Sequence, residues 1–120
     1  MKLITIIGAR KVIEGFADKE DLSAHLAYWM TKFIAKTEGD YEFYKQETKK
    51  LYDKYSEVNS EGKYFVPADK VSAFRADADN LDSTEAEDPG IRFDLSELSA
   101  ELKLSMRQMY PLLDFINEDN

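Results

Sequence analysis

The chain contains no cysteine, which excludes a disulfide scaffold, a thiol nucleophile and every thiolate metal site. Histidine occurs once, as His25, so neither an imidazole zinc site nor a serine triad has much to draw on. No apolar run approaches the roughly 18 residues of a membrane span. The opening stretch Met1–Ala9 is apolar, but Arg10 and Lys11 follow at once, and it reads as neither a signal peptide nor an anchor. Such a chain is expected to leave a cell only by lysis, through a dedicated machine or as part of a particle. Basic residues are also scarce. Sixteen Lys and Arg face 24 Asp and Glu for a net charge of −8, which argues against direct binding to nucleic acid or to an anionic membrane.

What remains is 43% hydrophobic and 33% charged over 120 residues, enough for one core and a single domain spanning 1–120. The spacing is mostly helical. Leu22, Leu26, Trp29 and Phe33 step by four, three and four, and Tyr44, Leu51, Tyr55 and Val58 carry the stripe on, widened by Met30, Ile34 and Tyr41. Lysines and glutamates alternate on the opposite side, as on a solvated helix face. The pattern predicts a helix from Asp21 to about Val58, with Asp18 as N-cap and a kink or break at Gly39–Asp40. A helix of such reach, about 55 Å at 1.5 Å per residue, must lean on the rest of the chain or on a second protomer.

Leu3 to Phe16 reads as a short strand followed by a helix or as one helix ending near Gly15, and the single helix is favoured. Asn59–Gly62 is a turn, Lys63–Val66 a short strand ended by Pro67, and Ala68 to Leu81 a helix with Val71, Phe74, Ala78 and Leu81 inward. Ile91–Leu95 alternates apolar and charged residues, so its pairing with 63–66 is expected to make a two-stranded sheet. Ser96 or Ser99 caps a last helix with Leu98, Leu102, Met106, Met109, Leu112, Leu113 and Ile116 inward and a kink or split at Pro111. The fold class is therefore mainly α: a long helix or helical hairpin packed with shorter helices, plus a small two-stranded β element, with α+β as the alternative.

The charge is unevenly placed. Between 76 and 101 lie Asp77, Asp79, Asp82, Glu85, Glu87, Asp88, Asp94, Glu97 and Glu101 against Arg92 alone, and the rest of the chain is balanced. That segment is either a solubilising loop or the surface that selects a partner. Asp77, Asp79, Asp82, Glu85, Glu87 and Asp88 are the acidic candidates for contact. Tyr28 and Phe43, off the apolar stripe, are the candidate apolar anchors.

Motifs for chemistry are weak. Asp77, Asp79 and Asp82 begin like a calcium loop, but Leu81 stands where the third ligand belongs and Asp82 where the turn glycine belongs. Ile6–Arg10 superficially matches the entry to a dinucleotide fold, yet neither of its glycine signatures follows. No Gly-x-Ser-x-Gly elbow is present, and no spacing separates a catalytic carboxylate pair from the other acids. His25 lies one position off the stripe and reads as a boundary residue with its ring half covered. No cofactor, metal or catalytic residue is assigned, and a carboxylate-based hydrolase is the weakest of the functional readings.

The run Leu22–Phe33, the long charged helix closing in Lys54–Tyr55, the turn Glu61-Gly62-Lys63-Tyr64-Phe65-Val66 and Phe74 followed by Leu81 occur in a telling order. They are followed by Ile91 to Leu98 leading into Leu104–Ser105, and by the ending Leu112–Glu118. In this order of features, from about residue 10 onward, the chain resembles a family of small proteins of unknown function encoded by tailed phages and prophages of Gram-positive bacteria. The resemblance implies a mainly helical fold and an accessory, assembly or structural role in the host cytoplasm or on the virion. It transfers no catalytic residue. The function expected on both grounds is non-enzymatic and works through a phage or host protein partner, with self-association along the long helix. The alternative is an acidic nucleic-acid mimic that inhibits a host defence protein.

Overall fold

Twelve apolar-rich residues, Leu3–Glu14, form the first helix, α1, and 32 residues, Ala24–Tyr55, form the second, α2. The computed structural model describes residues 1–117; Glu118, the end of the closing run, lies outside the described residues. A short antiparallel ribbon follows, β1 (Glu57–Val58) with β2 (Tyr64–Phe65). A 3-10 turn then leads into α3 (Val71–Asp82), and after a loop come α4 (Leu95–Glu101), α5 (Met106–Met109) and a 3-10 segment, Tyr110–Phe115. Among the described residues the protein is mostly helical, 65%, with five helices and one small two-stranded sheet.

The long helix organises the rest. Leu26, Met30, Phe33 and Thr37 are buried at spacings of four, three and four, against Ile6, Ala9 and Ile13 of α1, Ile91, Phe93, Leu98, Leu102, Leu112 and Phe115. At the centre the Phe33 and Phe115 rings meet edge to face at 5.0 Å. Further along, the same stripe continues through Tyr44, Thr48, Leu51 and Tyr55, which α3 half covers; the Tyr52 and Tyr55 rings sit 5.2 and 6.0 Å from Phe74. The molecule is thus a globular body with an arm. Its radius of gyration is 17.3 Å, against about 14 Å for a compact domain of this length. The long axis, 50 Å, is set by α2, about 48 Å at 1.5 Å per residue.

Several sequence expectations are corrected. The N-cap of α2 is Ser23, not Asp18: its Oγ accepts from the Leu26 amide at 3.2 Å, and its own amide and hydroxyl donate to the Glu101 carboxylate. The helix runs without a break through Gly39, whose missing Cβ faces open space, so nothing forces one there. Segment 91–95 does not pair with 63–66. The ribbon partner is Glu57–Val58, which a five-residue loop brings into register, whereas reaching 91 would mean closing a far longer loop. Phe93 is instead drawn into the core, where its amide donates to Phe115 O and its carbonyl accepts from the Asn117 amide.

The expected last helix is split. Asp94, not Ser96 or Ser99, occupies the N-cap of α4, and the chain leaves helical geometry at Leu102. Helix α5 restarts behind a Ser105–Gln108 capping box, which resets the phase and leaves Met106 and Leu113 exposed where they were expected inward. Trp29 and Val58, also placed inward by periodicity, are exposed. His25 is mostly exposed, with Nδ1 2.9 Å from a Glu97 oxygen. The apolar stripe of α2 is buried against α1 and the core in its first half and half covered by α3 in its second.

Candidate functional site

The acidic segment is largely occupied in holding the fold. Tyr55 donates to Asp77 Oδ2 at 2.6 Å and Tyr44 to Asp82 Oδ1 at 2.8 Å, so two tyrosines of α2 clamp two aspartates of α3. Glu85 pairs with the Met1 ammonium, beside main-chain bonds from Leu3 N to Thr84 O and Ala86 N to Met1 O. Asp88 accepts from the Gly90 amide at 2.8 Å and from both terminal nitrogens of Arg92. Asp94 accepts from the Asn117 side-chain amide, Glu97 faces His25, and Glu101 caps Ser23. Of the nine acids of this segment, only Asp79 and Glu87 have side chains without a partner among the described residues.

The electrostatics follow these contacts. Hydrogen bonds from Arg92 first, then the Gly90 amide, hold the Asp88 carboxyl below its ordinary value of 3.8. The Ser23 amide and hydroxyl hold Glu101 low in the same way. Burial, reinforced by the bond to Asp82, pushes the Tyr44 phenol up to about 12. None of these environments sets a group near neutrality for proton transfer. Among the described residues no helix is long and apolar enough to cross a membrane, and no group of three His, Asp or Glu side chains could hold a metal ion.

Of the candidate anchors, Phe43 is exposed and lines a groove of about 290 Å³ with Leu51, Leu81 and Asp77. Tyr28 is exposed fifteen residues earlier on the helix, about 22 Å away along the axis. Its ring stands edge-on to Trp29 at 5.2 Å. Phe43 and Asp77 are therefore brought together, and Tyr28 stands apart from them.

Two exposed apolar surfaces escape the sequence reading. One is the tip of the arm, where Val58, Tyr64 and Phe65 of the ribbon are all exposed, Tyr64 at 77%. The other joins α1 to the C-terminal segment, around Ile4, Gly8, Tyr110 and Leu113. The signal for the second was present: Ser105-x-x-Gln108 spacing marks a new helix start and so a new phase. For the first there was none, since a two-residue strand has too short a pattern to declare its faces. No family model, no curated protein and no solved structure matches this chain.

Proposed function

We propose that the chain is a non-enzymatic accessory or structural protein of a phage or prophage, working through contacts with another protein in the host cytoplasm or on the virion. The phage origin rests on the order of features described above. The protein-contact role rests on one observation, the aromatic tip of the arm. Tyr64, Phe65 and Val58 are exposed together on a ribbon that starts after Tyr55, twenty-two residues past the core residue Phe33, or about 33 Å along the helix axis. Exposed aromatics grouped on a protruding element form the kind of patch that partner surfaces bury. Acidic mimicry is the weaker reading, because seven of the nine acids between 76 and 101 are engaged inside the chain.

The test is chemical crosslinking through Lys63, beside Tyr64, in infected or induced cells, with identification of the protein joined to it. A Tyr64→Ser, Phe65→Ser double variant with an unchanged melting temperature is expected to lose that crosslink. Equal yield from the variant would remove the arm as the contact and the reading with it.

A further inference from the structure

We infer that two copies of this chain associate about a two-fold axis through the face formed by α1 and the Tyr110–Phe115 segment. This rests on the protein-contact reading and names one partner, a second copy. The face carries four exposed large apolar side chains, among them the two most exposed of the body: Met106 at 90%, Tyr110 at 77%, Leu113 at 52% and Ile4 at 36%. At about 200 Å² for a large side chain fully exposed, these amount to about 500 Å² of apolar surface per copy. A standard interface buries about 800 Å² per partner, roughly 65% of it apolar between identical subunits. The patch supplies that apolar share, and a polar rim must supply the rest.

A two-fold contact demands that one surface be complementary to itself, with knob and hole on the same face. Both are present. The hole is a groove of about 490 Å³ lined by Ile4, Gly8, Tyr110, Pro111 and Leu113. Gly8 contributes no side chain to it; a Cβ there would stand 3.6 Å from Pro111 Cβ, in ordinary contact, so the two elements already touch below the groove. The knob is Met106, one turn before the groove wall at Tyr110. Charge agrees as well. Arg107 makes no ion pair among the described residues, and Asp114, in the groove wall, accepts no hydrogen bond there and lies within reach only of the charge of Arg92, which Asp88 already binds. They flank Tyr110 at spacings of three and four, so an axis passing near Tyr110 sets Arg107 of each copy opposite Asp114 of the other.

The experiment is the molar mass of the full chain by light scattering and sedimentation, from micromolar to hundreds of micromolar protein. The expected result is a reversible monomer–dimer equilibrium that stops at two. Leu113→Asp is expected to weaken it by about tenfold or more with an unchanged melting temperature. Arg107→Glu and Asp114→Arg each weaken it, and the two together restore it. Tyr64→Ser leaves it intact. A monomer at every concentration overturns the inference and leaves the arm contact standing. So does a dimer abolished by Tyr64→Ser but not by Leu113→Asp. Mass that keeps growing with concentration also overturns it, since an isologous contact closes at two.

Discussion

The Tyr44 hydroxyl, on the middle of α2, donates a 2.8 Å hydrogen bond to Asp82 Oδ1 at the last residue of α3. That bond ties the base of the arm to the acidic segment, and burial, reinforced by the bond, keeps the phenol protonated up to about 12. A phenol pKa raised in the folded state adds stability that is fully present below its ordinary value of 10.0 and is lost as pH rises through about 12. Ultraviolet titration is expected to show a tyrosine that ionises near 12. In Asp82→Asn that late step should move toward 10; an unchanged profile would sever the link between the two residues.

The acids of 76–101 are expected to fall into two groups. Asp77→Asn and Asp82→Asn each weaken a tyrosine clamp and should cost about 1 kcal/mol in urea unfolding. Asp79→Asn and Glu87→Gln, which have no partner to lose, should stay within about 0.5 kcal/mol of the parent. Equal effects in the two groups would mean that the segment acts only through its summed charge.

Arg10 is buried between α1 and α2. It donates to Glu14, to the Ile34 carbonyl, to Thr37 Oγ1 and to Glu38, and its guanidinium lies 4.6 Å from the centre of the Tyr41 ring. Arg10→Ala leaves carboxylates and a buried carbonyl without their donor and should cost about 3 kcal/mol. Arg10→Lys should recover little, because an ammonium cannot serve four acceptors spread over a planar fork. Denaturant midpoints decide, and a lysine variant as stable as the parent contradicts the geometry.

Two substitutions are expected to stabilise. Gly39→Ala puts a methyl group into open space in mid-helix and should gain about 0.5–1 kcal/mol by restricting the unfolded chain. Thr48→Val replaces a buried hydroxyl that has no partner among the described residues and should be neutral or better. A fall in melting temperature for Gly39→Ala would show that the glycine is needed for something the isolated chain does not display.

The helices were legible because each repeats its pattern over several turns: α1, α2 and α3 are long enough for the 3.6-residue period to outweigh single exceptions such as Gly8 and Gly39. Boundaries were less legible, since caps such as Ser23 and Asp94 are chosen by partners distant in sequence, Glu101 among them. Of the surface candidates, Tyr28 and Phe43 were recognisable as lying off the stripe and are exposed. Met106 and Leu113 were misplaced because a four-residue break from Leu102 to Ser105 shifts the phase that the last helix was assumed to keep.

By itself the amino-acid sequence determined the helical class, the long central helix, the turn at Asn59–Gly62 and the uneven charge, all of which depend on local spacing and composition. Only the tertiary structure decided where the charge and the apolar surplus come to lie and what they touch. Whether Asp77 faces solvent or Tyr55, and whether Tyr110 fills the core or stands out from it, depends on which distant segment arrives beside it. Packing settles that competition, and no pattern within a single stretch of chain records its outcome.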